Sequence, residues 1–347
     1  MTFRMSKASK ASLVVTLIFA ALAAISLFTV EPEPDRFFAG QPPFDLEGHQ
    51  GARGLYPGNT LSGFRAALAL GVTTLGMDLA MTGDGEIVVH EGLRLSPART
   101  RGPDGAWLEP PGPALLALDL AALAAYDVGR LRPDSEAAAR WPEQRGLDGA
   151  AIPTLDAAIA LAEEVSGGRI RYAFAAGLTP IDPEISADPQ VFAAALVAAI
   201  RAAGIVERST VRSFDWRLLA AVHRIAPEIR RIFPTSEAAG FDTVDRGKPG
   251  ASPWTAGLDV DDYDASVPRL VAAAGGRLWA PRVQDLREGD LAEARRLGLR
   301  VVVWTVNEPE IMADLLDRQV AGIVTDYPDR LRAVMGERGM ALPPAYE

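Results

Sequence analysis

Short apolar runs alternate with longer amphipathic stretches through most of the chain after residue 43. The runs that predict strands are Asp45–His49, Thr74–Leu79, Ile170–Phe174, Thr210–Ser213, Arg230–Phe233, Leu278–Ala280, Val301–Trp304 and Gly322–Thr325. The stretches that predict helices are Thr60–Leu70, Pro189–Ala203, Asp215–Ile225, Asp285–Leu297 and Pro309–Asp317. Strands that alternate with helices are typical of a parallel α/β fold. Eight such strands predict a TIM (β/α)8 barrel.

Two segments depart from this alternation. Ile87–His90 follows the second strand after the turn Thr82–Gly85. This turn is too short for a crossover, so the segment predicts a hairpin after strand 2. Residues 94–153 are too many for a plain loop and predict an inserted lobe near the active face. We therefore expect the barrel at 44–335, with this insertion, and a C-terminal tail at 336–347.

The amino terminus has its own pattern. Ala11–Val30 carries no charge, follows a basic tail at 1–10 and precedes a Pro-containing linker at 31–43. A helix of twenty residues spans roughly 30 Å, so the segment predicts a transmembrane anchor or a cleaved signal segment. The basic flank predicts a single-pass protein of the cell membrane, N-in/C-out, with the barrel in the periplasm or outside. Cleavage would instead give a secreted or periplasmic protein.

Composition excludes several classes of function. The formal net charge of -10 excludes nucleic acid as a partner, since a binder needs a basic surface to displace counterions. The absence of cysteine excludes disulfides and a thiolate nucleophile. Lysine occurs only at Lys7, Lys10 and Lys248, off the predicted strands, which excludes a Schiff-base aldolase.

Candidate chemistry lies where the strands end, since a barrel of this kind carries its active site at the carboxyl ends of its strands. His49 and His90 end two neighbouring predicted strands, and imidazoles placed in this way can serve as acid and base for breaking an ester. A phosphodiester would also need a cation for the charge on its phosphoryl oxygens. The other polar or aromatic residues at strand ends are Asp78, Ser213, Trp304 and Asp326.

Several short motifs occur in the order that one known family shows. They are His49–Gly54, Pro57–Leu61 with Phe64–Ala67, Gly76–Leu79, Val88–Glu91, Ser213–Arg217, Trp304–Asn307 and Thr325–Pro328. With them the chain resembles the glycerophosphodiester phosphodiesterase family from residue 48 to about 332. The resemblance implies a barrel enzyme that hydrolyses glycerophosphodiesters to an alcohol and glycerol 3-phosphate with a divalent cation, calcium or magnesium. It also implies that His49 and His90 are the catalytic acid and base and that Asp78 is a metal ligand.

Most other charged positions of the family pattern are replaced. Gln50 stands where the family has arginine, Gly58 and Gly76 stand where it has glutamates, and Ala175 and Gly177 where it has a third glutamate and a lysine. Calcium and magnesium need several oxygen ligands, so Asp78 with water predicts weak metal binding or none. Asp78 is then either a remaining ligand or a hydrogen-bond partner that orients a histidine.

Six residues are candidates for contact with the substrate. They are Gln50, Arg53, Arg212, Arg282, Trp304 and Tyr327. An arginine can replace a metal ion as a phosphate clamp, because its planar guanidinium binds two oxygens and keeps its charge. Alternatively, the three arginines lie near the site by chance. Asp326 either belongs to the site or caps the last helix.

Two functions remain open at this point. One is hydrolysis of a small-molecule phosphodiester or phospholipid headgroup ester by the histidine pair, close to the membrane that the N-terminal segment contacts. The other is a catalytically degenerate member of the family that binds a phosphodiester, a lipid or a partner protein without turnover. The sequence leaves open whether the protein is an enzyme.

Overall fold

The structure, a computed structural model, describes residues 44–346. The predicted basic tail, membrane segment and linker lie outside these residues. Within residues 44–346, none of the helices combines the length and the apolar character needed to cross a membrane.

Eight parallel strands close into a barrel, which confirms the predicted fold. The strands of the described chain are β1 (Asp45–Gly48), β2 (Thr74–Met81), β3 (Ile87–Val89), β4 (Arg171–Ala176), β5 (Ser209–Arg212), β6 (Arg230–Thr235), β7 (Glu237–Ala238), β8 (Phe241–Asp242), β9 (Leu278–Pro281), β10 (Arg300–Val303) and β11 (Gly322–Thr325). The barrel order is β1-β2-β4-β5-β6-β9-β10-β11, and β1 pairs with both β2 and β11. Strand β3 forms the predicted antiparallel hairpin with β2. A second small hairpin, β7 with β8, was not predicted.

Helices follow most of the strands. They are α1 (Leu61–Leu70), α2 (Leu120–Leu123), α3 (Glu136–Arg140), α4 (Leu155–Ser166), α5 (Pro189–Ala202), α6 (Trp216–Ile225), α7 (Val267–Ala273), α8 (Asp290–Arg296), α9 (Pro309–Asp317) and α10 (Pro328–Glu337). The predicted helix Asp285–Leu297 is wrong in its first part. Val283–Asp285 is a separate 3-10 turn, and Gly289, at φ 88° in the left-handed region, interrupts the helical path before α8.

The strands separate apolar side chains from polar ones. Leu46 and Phe174 are fully buried in the large core. Glu47, the next residue after Leu46, instead reaches Arg212 of β5. Successive strand residues point to opposite faces, so the barrel interior near the strand ends receives polar groups.

The chain between β3 and α4 forms a lobe with a small core of its own. That core consists of Ala80, Val88, Leu95, Leu115, Leu123, Val128 and Ile152. Since Ala80 and Val88 belong to the β2–β3 hairpin, the cluster fixes the lobe on the hairpin. Arg99 of the lobe then donates to the backbone oxygen of Glu91, directly after His90.

Candidate active site

His49 follows β1 and is held by a carboxylate at the end of β11. Its Nδ1 lies 2.8 Å from Oδ1 of Asp326. A carboxylate can only accept, so Nδ1 carries the proton and donates it to Asp326. Nη2 of Arg53 is also 3.1 Å from this nitrogen, but both groups are donors in that tautomer, and Arg53 acts through Asp326 instead. This leaves Nε2 of His49 as the nitrogen able to exchange a proton with a ligand.

Asp326 connects several elements. Its two oxygens accept from Arg53 Nε at 3.0 Å, Trp141 Nε1 at 3.0 Å and Asn307 Nδ2 at 2.9 Å, in addition to His49. The guanidinium of Arg53 also lies 4.2 Å from the centre of the Trp141 ring. Burial works to raise the pKa of Asp326, but the charge of Arg53 and the hydrogen bond from His49 outweigh it and hold the pKa well below its usual range. Asp326 is therefore ionised and does not cap α10, which has no side-chain cap.

His90 lies in a different environment, with only 3% of its surface exposed. Its Nδ1 is 3.3 Å from the carbonyl oxygen of Gly92, and its Nε2 has no hydrogen-bond partner among the described residues. Burial, helped by the charge of Arg99, lowers the pKa of His90 from 6.5 to about 3. The imidazole is therefore neutral at physiological pH, and its Nε2 presents a lone pair.

Asp78 of β2 is held by two amide side chains. Gln50 Nε2 donates to its Oδ2 at 2.6 Å and Asn59 Nδ2 donates to the same oxygen at 3.2 Å. Gln50 and Asn59 both have left-handed backbones, at φ 52° and 57°. Such backbones are costly for residues other than glycine and are found where tertiary contacts impose them. The first loop is thus shaped to direct both amides toward Asp78.

An ion pair lies inside the barrel below these residues. Nη1 of Arg212 is 2.6 Å from Oε1 of Glu47, which is fully buried, and 10% of the Arg212 side chain is exposed. Burial raises the pKa of Glu47, and the charge of Arg212 opposes this shift. A Cβ at Gly76 would lie 2.5 Å from Oε1 of Glu47 and 3.3 Å from Nη2 of Arg212. The ion pair therefore occupies the space that a side chain at position 76 would need.

This crowding gives a first prediction. Gly76→Ala should lower the free energy of unfolding by about 1–3 kcal/mol, because the new methyl group forces Glu47 away from Arg212. Gly336→Ala in α10 is the control, since a Cβ there meets no heavy atom within 4 Å, and it should change stability by no more than about 1 kcal/mol, in the stabilising direction. Urea denaturation measures both. Equal effects would show that the space beside Gly76 is not restricted.

The remaining candidates have partners of their own. Arg282 lies 3.2 Å from Asp285 through Nη1. Trp304 donates from Nε1 to the carbonyl oxygen of Ala280 at 2.7 Å and stays partly exposed. The Tyr327 ring is buried, and a Cβ at Gly54 would lie 2.4 Å from it. Arg53 is thus the candidate arginine in contact with His49, whereas Arg212 contacts Glu47.

A pocket of about 590 Å³ opens beside this cluster. Its lining includes Arg53 and Gly58 of the first loop, Glu91 after His90, and Arg99 and Trp141 of the lobe. Neither histidine lines it. The pocket adjoins His49 through Arg53 and His90 through Glu91, so a ligand that reaches the histidines can extend into it.

Known proteins match the chain over the region that holds these residues. The glycerophosphoryl diester phosphodiesterase family matches residues 49–330, which span both histidines, Asp78 and Asp326. The chain belongs to this family. The resemblance seen in the sequence motifs is thereby confirmed.

Individual relatives cover the same region. A crystal structure from Silicibacter pomeroyi DSS-3, named as a candidate glycerophosphoryl diester phosphodiesterase, is 32% identical, has a TM-score of 0.77 and matches over 88% of this chain and 99% of that one. The YqiK protein of Bacillus subtilis (strain 168) is 25% identical over 83% of this chain and 96% of its own. An Oleispira antarctica phosphodiesterase, solved with the product sn-glycerol-3-phosphate, is 17% identical and shares the fold, with a TM-score of 0.60 over 84% of this chain and 96% of that one.

The divalent cation of this family does not fit the residues present. Within residues 44–346, no three His, Asp or Glu side chains converge as a metal site. More directly, Asp78 accepts two amide donors on one oxygen, and the space beside Gly76 is filled by Glu47 and Arg212. A cation needs several oxygens directed at one point. The described residues therefore do not form a site for a divalent cation.

The site also contains residues that the sequence did not indicate. Glu47, Asn59, Arg99, Trp141 and Asn307 all contact the candidate residues. Glu47 gave one usable signal, a charged residue inside a short apolar strand and two positions before His49. Asn59 and Asn307 lie within the motifs Pro57–Leu61 and Trp304–Asn307, which carry the family resemblance, but were not singled out. Arg99 and Trp141 belong to the lobe, where no hydrophobic period fixes the direction of a side chain.

Proposed function

We propose that the protein hydrolyses glycerophosphodiesters to an alcohol and glycerol 3-phosphate. The observation that carries this proposal is that both imidazoles are held through Nδ1, His49 by Asp326 and His90 by the Gly92 carbonyl. Each ring then has Nε2 for proton transfer, which is what an acid–base pair requires. A structural histidine would be expected to have both nitrogens satisfied, and Nε2 of His90 is buried without a partner among the described residues.

The two environments suggest different roles. His90 is neutral, since its pKa is about 3, and it accepts a proton from the attacking water molecule as the new P–O bond forms. His49, in its protonated form, gives a proton from Nε2 to the leaving alcohol oxygen as the old P–O bond breaks. Arg53 and Asp326 hold the His49 ring in place. Because Nε2 of His90 is buried, the substrate must open its surroundings on binding.

The substrate class follows from the pocket and the N-terminal segment together. The pocket combines arginines with apolar walls, which suits the phosphate and alcohol parts of a phospholipid headgroup ester. Ala11–Val30 would keep the barrel near a membrane surface outside the cytoplasm, either as an anchor or, after cleavage, as a released protein. No metal ion is assigned a role.

The second candidate function is binding without turnover. It is favoured by Gly58, Gly76 and Ala175, which replace the acidic residues of the family. The same histidines and arginines would then form a phosphodiester-binding pocket rather than a catalytic one.

Hydrolysis of glycerophosphocholine and glycerophosphoethanolamine distinguishes the two. We expect release of glycerol 3-phosphate, and His49→Ala and His90→Ala should each lower turnover by at least about 10²-fold. His223→Ala, on the exposed side of α6, is the matched control and should retain activity. Absence of turnover of both diesters, with calcium, magnesium or chelator, would contradict hydrolysis and leave binding as the function.

A further inference from the structure

Three positions that are acidic in the family lie beside polar groups in this structure. A Cβ at Gly58 would be 3.1 Å from the Arg53 side chain and 2.5 Å from Oε1 of Gln50. A Cβ at Gly76 would meet Glu47 and Arg212. Ala175 of β4 is paired in register with Arg212 of β5. Two of the three positions thus adjoin Arg212, Gly76 through the guanidinium and Ala175 through the strand register.

Arg212 also lies at the correct level of the barrel for contact with a ligand. Asp78, Ala175 and Arg212 occupy the same register position on the adjacent strands β2, β4 and β5. Asp78 and Ala175 are both partly exposed at the strand ends. The contact with Glu47 uses Nη1 of Arg212, whereas a guanidinium has five N–H donors in a planar fork. The internal ion pair, which consists of Glu47 and Arg212, therefore places a guanidinium inside the barrel beside Gly76, near the carboxyl ends of the strands.

A guanidinium beside Gly76 disfavours a divalent cation at the same position, because like charges repel strongly where water is scarce, and it supplies the positive charge that a phosphate group needs. The exchange is also consistent in size. Gly76 has no side chain. The internal ion pair fills the volume that a side chain at position 76 would occupy. The absence of acidic side chains at Gly76 and Ala175 and the presence of Arg212 are thus parts of one arrangement.

We propose that Arg212, anchored by Glu47, is the resident cation of this site, so that the protein binds the phosphate group of its ligand without a divalent metal ion. This inference rests on the proposed function for the identity of the ligand as a phosphate ester. It does not require that the ligand is turned over.

The first test uses the full chain without mutation. Calorimetric titration of the chelator-treated protein with calcium and then magnesium should show no binding up to about 1 mM, the upper end of the range in which the calcium sites of extracellular modules bind. Titration with sn-glycerol 3-phosphate in chelator should give the same affinity as in calcium. Metal binding at micromolar concentration, or phosphate binding that needs a metal ion, would overturn the inference.

The second test removes the ion pair as a pair. Glu47→Gln with Arg212→Met leaves no unpaired buried charge and should lower affinity for glycerol 3-phosphate by at least about tenfold. The matched control is Glu163→Gln with Arg208→Met, a 2.6 Å ion pair just before the other end of β5, and it should retain full affinity. If the double variant does not fold, as judged by thermal unfolding, Arg212→Lys keeps the charge without the fork and should weaken binding by about threefold or more.

The outcomes separate this inference from the proposed function. Turnover that requires calcium and survives loss of the ion pair would contradict the inference and leave hydrolysis intact. Chelator-resistant phosphate binding without turnover of any diester would contradict hydrolysis and support Arg212 as the resident cation. Unchanged affinity in the double variant would contradict the inference whether or not the protein is active.

Discussion

Asp326→Asn is expected to lower the free energy of unfolding by about 3–5 kcal/mol, because it removes the negative charge that compensates the buried guanidinium of Arg53. The amide group also places a donor where only acceptors fit. Asp326 accepts from His49, Arg53, Trp141 and Asn307, and an asparagine can turn just one oxygen toward these four donors.

Asp326→Asn should also lower activity, for a reason that is separate from the loss of stability. Asp326 holds the His49 ring through Nδ1 and places a negative charge beside its protonated form, so the loss of this carboxylate should slow proton transfer from Nε2 to the leaving alcohol oxygen. Turnover should decrease by about 10³- to 10⁴-fold, the size known for such a change at an acid–base histidine. The hydrolysis assay should be run well below the unfolding temperature of the variant, so that only folded protein is compared.

The pH dependence tests the charge itself. The pKa of Asp326 is held below its usual value, so the stabilisation is complete above the unfolded pKa of about 3.9 and is lost as pH falls below it. The difference in the free energy of unfolding between the wild type and Asp326→Asn should therefore be constant above about pH 5 and become smaller toward pH 3. Asp317→Asn, in an exposed ion pair with Arg338, is the control and should cost less than about 1 kcal/mol. A gap that stays equal down to pH 3 would contradict the assignment.

The barrel could be predicted because its strands carry a strong local signal. Gly322–Thr325 has the predicted limits, and the other barrel strands differ by one or two residues at their ends. Helix α4 was missed although its signals are present, with Thr154 as the N-cap and Gly167 in the left-handed C-cap conformation. It lies directly after the predicted inserted lobe at 94–153 and before β4, in residues to which no element was assigned.

The site was predictable only in part. His49 and His90 could be found because each ends a short apolar run. Asp326 could have been a helix cap or a site residue, and only a contact between residues 277 positions apart decides between these. The internal ion pair was unpredictable for the same reason, because the sequence around Glu47 and around Arg212 does not show that the two side chains meet. Contacts of this kind depend on the closure of the barrel and on nothing in the neighbouring sequence.

Acid should destabilise this protein through His90. The folded state holds the ring neutral with a pKa of about 3, whereas an unfolded histidine has a pKa of about 6.5. The unfolded state thus binds more protons between these values, and stability falls as pH decreases from about 6.5 toward 3. A pKa difference of this size lowers the free energy of unfolding by at most about 5 kcal/mol, through one buried side chain. This acid effect is absent above pH 6.5, where His90 is neutral in the folded and the unfolded state, and it grows as the pH falls.

His90→Gln removes the titrating group and isolates this effect. At pH 8 the variant should be less stable than the wild type by about 1–3 kcal/mol, because glutamine fills the ring's space poorly. This stability difference should become smaller as pH falls and change sign before pH 4, since the amide does not bind a proton. Urea denaturation between pH 8 and 4 measures this crossing, and His223→Gln should follow the wild-type curve. Parallel curves for the wild type and His90→Gln would show that the His90 environment accepts a proton freely. The lowered pKa of His90 would then be contradicted, whereas the Asp326–His49 pair would not be affected.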